Sequence, residues 1–252
     1  MVMTKILKTD IFSVAGMKVV VTGASRGNGK SIADGFASAG SIVYYLDKSN
    51  EVFNNINVLK NSNHHAYQVD ITDINKLVQI IDEIGDIDVL VNNAGITLNQ
   101  DENPDHWEKT INTNLTATYN LCLLFRDGMI RRGGGSIINI TSISAHIGSS
   151  GNPSYHASKG GVRYMSKGLA ADLGKFNIRV NCICPGYINT NMTKYSFNDE
   201  SRYEKIKSRT MLNRWGKSSD LIGASIFLAS PASSYITGSD IMVDGGLVNK
   251  GF

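Results

Sequence analysis

The sequence has little of what would assign it to a metal-binding or disulfide-rich class of protein. It contains three cysteines and no paired C-x-x-C motif, and His64-His65 has no ligand cluster near it in the sequence. These patterns do not match the ligand spacing of a zinc site, so we expect no bound metal. The three cysteines are interpreted as small, reduced and mostly buried side chains.

Long apolar segments and a strong charge of one sign are also missing. The first sixteen residues contain no long apolar run, so we predict neither a signal peptide nor a membrane span. We therefore expect a cytoplasmic location. The net charge is +3 with acidic and basic residues interspersed, which does not favour nucleic-acid binding. The 252 residues can instead form one domain with a sizeable core.

Short apolar runs alternate with helical segments along the whole chain. The runs predicted as strands cover residues 17–22, 42–46, 65–69, 88–92, 136–141, 178–184 and 239–243. Such alternation builds right-handed βαβ units, so we predict an α/β fold: a single Rossmann-type domain, doubly wound around a parallel sheet of about seven strands. Long helices are predicted at about 104–129 and 153–176. The polar segment 187–217 fits no strand and is predicted to be a substrate lid. The alternative is a helical insertion that does not gate access to the substrate.

A glycine-rich turn joins the first predicted strand to the first predicted helix. Gly23-Ala-Ser-Arg-Gly27-Asn-Gly29 follows the strand, and the helix-like segment Lys30–Ala39 follows the turn. Glycines at such a turn let the backbone approach a pyrophosphate, whose charge lies at the helix N-terminus. The spacing is GxxxGxG rather than GxGxxG, and a tight turn without a ligand is the alternative for this motif alone.

Asp47, at the end of the second predicted strand, bears on the choice of dinucleotide. An acidic side chain there accepts hydrogen bonds from the adenosine ribose and repels a 2′-phosphate, which favours NAD over NADP. Arg26 favours the opposite choice, because a guanidinium beside the phosphate loop can pair with a 2′-phosphate. We give Asp47 more weight and predict NAD, with NADP as the alternative.

Ser142, Tyr155 and Lys159 form the most informative group of residues. Tyr155 and Lys159 are four residues apart in a predicted helix, so their side chains share one face. A free phenol has a pKa of about 10, and a neighbouring ammonium favours the phenolate form. The pair is therefore a candidate acid/base, with a chance pair on a surface helix as the alternative.

The order of these motifs resembles that of the short-chain dehydrogenase/reductase family. The resemblance runs from about Met17 to Gly246 and rests on TGASRGNG (Thr22–Gly29), NNAG (Asn92–Gly95), Asn114, Ser142, Tyr155, Lys159 and Pro185-Gly186. It implies that Tyr155 is the catalytic acid/base and that Lys159 lowers its pKa and holds the nicotinamide ribose. It also implies that Ser142 orients or polarises the substrate oxygen and that Asn114 anchors a water-mediated proton relay.

The same resemblance implies which residues hold the ligands. Besides Tyr155 and Lys159, the implied cofactor-binding residues are Gly23, Ser25, Arg26, Gly27, Asn28, Gly29, Asp47, Asp70, Ile71, Asn92, Ala94, Gly95, Pro185, Gly186, Ile188 and Thr190. The candidates for the substrate pocket, chosen by position, are Ser142, Ser144, His146, Asn152, Tyr155, Tyr187 and Met192. Asn28 stands where the family usually has isoleucine or leucine, so we expect altered packing near the nicotinamide.

The implied activity is that of a nicotinamide-dependent oxidoreductase that interconverts a secondary alcohol and a ketone. The segment Asn213–Gly246 is most similar to the gluconate 5-dehydrogenase and 2-deoxygluconate dehydrogenase branch, which implies a sugar acid or polyol as the small-molecule substrate. One alternative is a 3-oxoacyl-(acyl-carrier-protein) reductase, with Arg131, Arg132 and Arg163 docking an acidic carrier protein. The alternative of another class is a catalytically silent, cofactor-binding scaffold.

A homotetramer is also expected. The two long predicted helices carry more apolar residues than one sheet-facing side requires, including Leu121, Leu124, Phe125, Val162, Met165 and Leu169. Exposed apolar patches usually mark interfaces, and related family members pair these helices and the last strand across two-fold axes. The last strand (Ile241–Val243) and the tail ending in Phe252 would then lie between subunits. Packing of these residues within one subunit is the alternative.

Overall fold

The computed structural model describes residues 10–58, 63–98 and 103–251, which form a seven-stranded parallel sheet. The strands are β1 (Lys18–Thr22), β2 (Ile42–Asp47), β3 (His65–Gln68), β4 (Val89–Asn92), β5 (Gly135–Ile140), β6 (Ile178–Pro185) and β7 (Asp240–Val243). Their spatial order is β3-β2-β1-β4-β5-β6-β7. The predicted strands and the doubly wound α/β class are confirmed, and each strand bound lies within one residue of its prediction.

Helices cover both faces of this sheet. They are α1 (Gly27–Ser38), α2 (Val52–Val58), α3 (Ile74–Ile84), α4 (Pro104–Ile111), α5 (Ala117–Arg131), α6 (Pro153–Leu173), α7 (Lys194–Asn198), α8 (Glu200–Arg209) and α9 (Ile222–Ala229). A π-helical turn, Asn112–Thr116, separates α4 from α5, so the single helix predicted at 104–129 is interrupted. Within the described residues, every helix is too short or too polar to cross a membrane.

Two hydrophobic clusters lie on opposite faces of the sheet. Val20, Leu90 and Ile137 pack with α3, α5 and α6 on one face, whereas Val19 and Ile138 pack with α1 and α9 on the other. Successive side chains of a strand point to opposite faces. The continuous apolar runs in the sequence therefore need cover on both faces, which the two helical layers provide.

The apolar residues expected at an exposed interface lie largely inside one subunit, and that expectation is wrong. The buried ones are Leu121, Phe125, Val162 and Leu169. Leu124 and Met165 are partly buried and pack against the core. The reason is that α5 and α6 together cover the broad central part of the sheet, so each helix needs a wide apolar face. Phe252 lies outside the described residues.

The strand order reverses direction between β1 and β4. The chain runs outward from β1 to β3 and then returns to place β4 on the other side of β1. In open parallel sheets, ligands bind outside the carboxyl ends of the strands at such a switch point. The glycine-rich turn follows β1 and the Asn93–Gly95 segment follows β4, so both reach this edge.

Candidate active site

The glycine-rich turn packs tightly against the segment that follows β4. Gly23 has a φ of +66°, and a Cβ on Gly29 would lie 2.1 Å from the Gly23 carbonyl oxygen. Thr22 Oγ1 accepts hydrogen bonds from the N–H groups of Asn93 and Ala94, each at 3.1 Å. The turn therefore has no room for a side chain at Gly29, and the β4 segment holds it in place.

The N-terminus of α1 suits an anionic ligand. Arg26, the residue before the helix, makes no side-chain capping hydrogen bond, and the first turn of α1 contains no acidic residue. The first N–H groups of the helix are thus left without a capping side chain, and the helix dipole adds positive potential there. Free donors and positive potential fit the pyrophosphate of a dinucleotide.

Asp47 ends β2 beside the same turn. Its Oδ2 accepts a hydrogen bond from Ser25 N–H at 3.0 Å, and its Oδ1 accepts one from Ser49 N–H at 2.9 Å. The Arg26 side chain is exposed, and its guanidinium has no hydrogen bond or ion pair with any described residue. The carboxylate is therefore fixed in place, whereas the guanidinium is not.

The turn after β3 contributes a second carboxylate. Asp70 Oδ1 accepts hydrogen bonds from the N–H and the hydroxyl of Thr72, at 2.9 and 2.8 Å. Burial alone would raise the pKa of Asp70, but these hydrogen bonds and the charges of Lys48 and Lys109 lower it below its usual value. Asp70 is exposed and ionised, whereas Ile71 is buried in the core.

The two asparagines at the end of β4 face different surroundings. Asn92 Nδ2 donates to Asn139 Oδ1 at 2.9 Å in the core, so the side chain is not the part of Asn92 that could meet the predicted cofactor. Asn93 Nδ2 instead donates to the carbonyl oxygens of Thr22 and Gly23, at 3.0 and 3.2 Å. Side-chain alternation along the strand explains the difference. The NNAG motif alone does not reveal Asn93 as the residue that supports the glycine turn.

Ser142, Tyr155 and Lys159 meet just beyond the carboxyl end of β5. Lys159 Nζ lies 5.8 Å from the centre of the Tyr155 ring and donates a hydrogen bond to the Ile140 carbonyl at 2.8 Å. A side-chain hydrogen bond joins Ser142 to Tyr155. The first two turns of α6 carry the tyrosine and the lysine, which matches the predicted placement.

Burial dominates the electrostatics of this group. It raises the pKa of Tyr155, although the hydrogen bond with Ser142 acts in the opposite direction. Burial also lowers the pKa of Lys159 to about 8. The role implied for Lys159, lowering the pKa of Tyr155, stays a prediction, because burial and the Ser142 hydrogen bond are the two causes that act on the pKa of Tyr155 here. The ammonium lies 5.8 Å from the ring centre and is bonded to a carbonyl, while burial disfavours the phenolate.

Asn114 lies in the π-helical turn between α4 and α5. Its side chain exchanges two hydrogen bonds with the backbone of Ile96, each at 2.8 Å, and donates a third to Ser158 Oγ at 3.1 Å. A Cβ on Gly95 would lie 3.2 Å from Asn114 Oδ1 and 3.6 Å from Lys159 Nζ. Asn114 therefore joins the β4 segment to α6 next to the lysine. Turns of this type occur often at functional sites.

Two of the residues predicted to line the substrate pocket support the local backbone. Ser144 N–H donates to Ser142 Oγ at 3.1 Å, which orients the hydroxyl. Asn152 caps α6 by accepting the N–H of Tyr155 at 3.2 Å, and its Nδ2 donates to Thr97 Oγ1. The Asn152 side chain is thus engaged in positioning Tyr155 rather than free to bind substrate.

The segment 187–217 forms a flap that contains α7 and α8. An aromatic cluster holds it, in which the Trp215 ring lies 5.5 Å from that of Tyr187 and 5.8 Å from that of Tyr203. Trp215 Nε1 also donates to the Tyr203 carbonyl at 3.1 Å. Met192, by contrast, is exposed. Tyr187 therefore anchors the base of the flap, and only part of the segment is packed.

Both ends of the flap reach the glycine-rich turn. A Cβ on Gly27 would lie 3.6 Å from the Thr190 methyl carbon. Ser218, just beyond the flap, donates its hydroxyl to Asn28 Oδ1 at 2.9 Å. Asn28 stands where the family usually has isoleucine or leucine, and its polar side chain is hydrogen-bonded to Ser218.

A cavity of about 510 Å³ lies beside the turn that follows β6. A Cβ on Gly186 would lie 2.7 Å from the Asp244 Cα, so this turn packs directly on the segment after β7. The described residues that line the cavity include neither Ser142 nor Tyr155. They are Gly186, Tyr187, Ile188, Thr210, Met211, Leu212, Arg214, Gly216, Asp220 and Met242 to Gly246. The cavity is thus lined by Gly186, Tyr187 and Ile188 among the predicted ligand-binding residues.

Known proteins match almost the entire chain. The family model described as enoyl-(acyl carrier protein) reductase matches residues 23–248. Gluconate 5-dehydrogenase from Gluconobacter oxydans (strain 621H) is 35% identical over 251 residues, which cover 94% of this chain and 97% of that protein. A 3-oxoacyl-(acyl-carrier-protein) reductase from Chlamydia trachomatis serovar D is 40% identical over 239 residues, which cover 90% and 96%.

A solved structure matches the fold over a similar length. It is a gluconate 5-dehydrogenase from Burkholderia cenocepacia J2315 in complex with NADP and tartrate. The TM-score is 0.91 at 33% identity, and the match covers 96% of this chain and 99% of that one. Taken with the family match and the site geometry, this likeness shows that the chain belongs to the short-chain dehydrogenase/reductase family and is an NAD(P)-dependent oxidoreductase.

Proposed function

We propose that this protein interconverts a secondary alcohol and a ketone on a sugar acid or polyol. The observation that carries the proposal is the meeting of Ser142, Tyr155 and Lys159 beside the open N-terminus of α1. The substrate class is supported by the gluconate 5-dehydrogenases, which match nearly the full chain.

In the oxidation direction, Tyr155 accepts the proton of the substrate hydroxyl as a general base. Ser142 donates a hydrogen bond to the substrate oxygen and stabilises the charge that develops there. Lys159 contributes the positive charge of its ammonium, which the Ile140 carbonyl holds in position. A nicotinamide cofactor, which the glycine-rich turn and Lys159 would hold, would supply the hydride-accepting chemistry and, in its oxidised form, a positive charge. In reduction, Tyr155 returns the proton to the ketone oxygen.

We propose that the flap, residues 187–217, closes over the substrate. Its two ends meet at a bridge between Ile188 and Gly216. Thr190 and the neighbouring Ser218 contact the glycine-rich turn. Movement of the flap would therefore change its contacts with the glycine-rich turn. Such coupling suits a lid that closes when the cofactor binds.

NAD is the cofactor that we propose this protein prefers. Asp47, fixed by two backbone N–H groups at the end of β2, places a carboxylate where a 2′-phosphate would be repelled. Arg26 and the NADP bound to the Burkholderia cenocepacia relative support NADP as the alternative. The ratio of kcat/KM values for the two cofactors decides between them.

A 3-oxoacyl-(acyl-carrier-protein) reductase is the second candidate, favoured by the 40% identical Chlamydia trachomatis relative. The arginines expected to dock the carrier protein are each paired with a carboxylate: Arg131 with Asp86 at 2.7 Å, Arg132 with Asp88 at 2.6 Å and Arg163 with Asp240 at 2.6 Å. Because these charges are already partnered, they offer less attraction to an acidic protein. A silent scaffold is disfavoured, since Asn114, Ser142, Tyr155 and Lys159 are all present and close together.

The test combines a substrate panel with one variant. The absorbance of the reduced nicotinamide is followed with sugar acids, polyols and a 3-oxoacyl thioester. Tyr155→Phe keeps the ring and removes the hydroxyl, so turnover should fall by at least about a hundredfold. The matched control is Tyr164→Phe on the same helix, whose residue is 69% exposed. Wild-type turnover in folded Tyr155→Phe would contradict the proposed mechanism. Turnover with the thioester and with none of the sugar acids or polyols would contradict the proposed substrate class.

We also propose a homotetramer located in the cytoplasm. All four residues of β7 are partly exposed at the edge of the sheet, and an edge strand can pair with another copy. Exposed aromatic side chains of α4, α5 and α6, namely Trp107, Tyr119 and Tyr164, offer further contact area. The three cysteines are free and buried, which is typical of a reducing compartment.

A further inference from the structure

Three potential metal ligands from distant parts of the chain meet beside the active site. His146 follows the short turn after Ser142, Cys184 lies in β6, and Asp240 begins β7. Their ligand atoms all lie within 4.8 Å of one another, and His146 Nε2 is 3.4 Å from Cys184 Sγ. None of the three supplies an atom to the proposed proton transfer.

We propose that His146, Cys184 and Asp240 bind a divalent metal ion, with Zn²⁺ as the best fit. Imidazole nitrogen, thiolate sulfur and carboxylate oxygen are all zinc ligands. Bonds of about 2.0 Å to nitrogen and 2.3 Å to sulfur in a tetrahedral site separate those two atoms by roughly 3.5 Å. The observed separation of 3.4 Å is close to that value, so the two side chains are nearly in position.

Asp240 has one carboxylate oxygen to spare. Its Oδ2 accepts a hydrogen bond from Arg163 Nε at 2.6 Å and lies 3.8 Å from Lys167 Nζ. Its Oδ1 is buried and has no hydrogen-bond partner in the described part of the chain. A buried polar atom without a partner is costly, and a metal ion at this position would satisfy it. Arg163 would then orient the carboxylate from outside, as partners of metal ligands commonly do.

The charges of the cluster balance those of the ion. Binding releases the Cys184 thiol proton to solvent, and the resulting thiolate and the Asp240 carboxylate together neutralise a divalent cation. Thr141 Oγ1 lies 2.9 Å from Cys184 Sγ, and its hydroxyl, which donates to the Ile183 carbonyl at 3.1 Å, would turn to donate to the thiolate. Arg163 and Lys167 oppose the incoming charge, so we expect weaker binding than in a site made of four thiolates. Water would complete the coordination.

The location ties metal binding to the stability of the active-site edge. Thr141 immediately precedes Ser142 and contacts Cys184. An ion held by His146, Cys184 and Asp240 would therefore link the turn after β5 to β6 and β7. We expect Zn²⁺ to raise the melting temperature of the protein, and this readout does not depend on its substrate.

The test uses tag-free, full-length protein from which metal has been removed with a chelator. Co²⁺ is the probe, because thiolate ligation to this ion produces an intense near-ultraviolet absorption band, and displacement by Zn²⁺ then reports zinc binding. We expect one ion per chain. Cys184→Ser should lose the band, and His146→Gln should weaken binding by at least about tenfold. Cys182→Ser is the matched control, since it removes a neighbouring buried thiol from the same strand but outside the cluster.

The outcomes separate a metal site from a purely structural cluster. His146 is only partly buried, so His146→Gln provides a test even where Cys184→Ser fails to fold, and circular dichroism checks each variant. Loss of binding in folded His146→Gln, with the band retained in Cys182→Ser, supports the proposal. A wild type that binds neither Co²⁺ nor Zn²⁺ overturns it. So does a band that persists in Cys184→Ser or disappears in folded Cys182→Ser.

Discussion

Replacing Lys159 with methionine measures the cost of burying its ammonium group. The residue is 5% exposed, and its Nζ has the Ile140 carbonyl as a hydrogen-bond acceptor at 2.8 Å. Burial lowers the pKa of Lys159 from 10.5 to about 8. Because the folded state holds this proton less tightly than the unfolded state, protonation penalises folding. The penalty is complete below the folded pKa and disappears as the pH rises from about 8 to 10.5.

The size of the penalty follows from that difference in pKa. At about 1.4 kcal/mol per pKa unit, it is about 3 kcal/mol at pH 7 and falls to about 1 kcal/mol at pH 10. Methionine has a similar length and no charge, so Lys159→Met escapes the penalty at every pH. The free energy of unfolding of the variant minus that of the wild type should therefore decrease by about 2 kcal/mol between pH 7 and pH 10.

Urea unfolding at the two pH values, followed by tryptophan fluorescence, measures this difference. Tyrosines and cysteines that titrate in the unfolded chain affect both proteins equally. In the folded state, burial raises the pKa of Cys182 to about 12 and that of Cys184 to about 11, so these thiols beside Lys159 stay largely protonated at both pH values. The loss of the hydrogen bond to Ile140 changes stability by an amount that does not depend on pH. Lys205→Met, an exposed lysine of α8, controls for loss of a surface charge. A difference between Lys159→Met and wild type that stays constant with pH would refute the reasoning.

Three further predictions concern the cofactor, the flap and the assembly. Asp47→Ala should shift the kcat/KM ratio toward NADP, because it removes a carboxylate that repels the 2′-phosphate; a wild type that already prefers NADP about tenfold contradicts this. Asn28→Ile should speed proteolysis of the flap and lower stability by about 1 kcal/mol, because Ser218 loses its acceptor. Ser218→Ala should match it and add nothing in the double variant, whereas additive effects would count against the contact. Light scattering should give four times the 27.4 kDa chain mass, and the mass of a single chain would exclude the oligomer.

The fold could be predicted from sequence because its signals are local. Each strand is a short apolar run, and runs buried on both faces require helices above and below the sheet. The break between α4 and α5 could not be predicted, since a π-helical turn adds one residue per turn without a characteristic side chain. The burial of Leu121 and Leu169 could not be predicted either. The apolar character of a helix does not reveal how wide an area of the sheet it must cover.

The candidate site divides in the same way between local and long-range information. The four-residue spacing of Tyr155 and Lys159 places both on one face of α6, so the pair is visible in the sequence. By contrast, His146, Cys184 and Asp240 meet only because β6 and β7 pair in one register, with Cys182 opposite Asp240. The supporting role of Asn93 likewise depends on which way the end of β4 faces.

The ionisation of Tyr155 depends on burial more than on its neighbour in the sequence. A lysine four residues away favours the phenolate, yet the same packing that brings the two together removes water from both. Burial therefore raises the pKa of Tyr155 and lowers that of Lys159, so that each group moves toward its neutral form. The hydrogen bond with Ser142 opposes this for the tyrosine but does not reverse it. An oxidised, positively charged cofactor at the proposed site would lower the pKa of Tyr155, so under the proposed mechanism we expect oxidation to require prior cofactor binding.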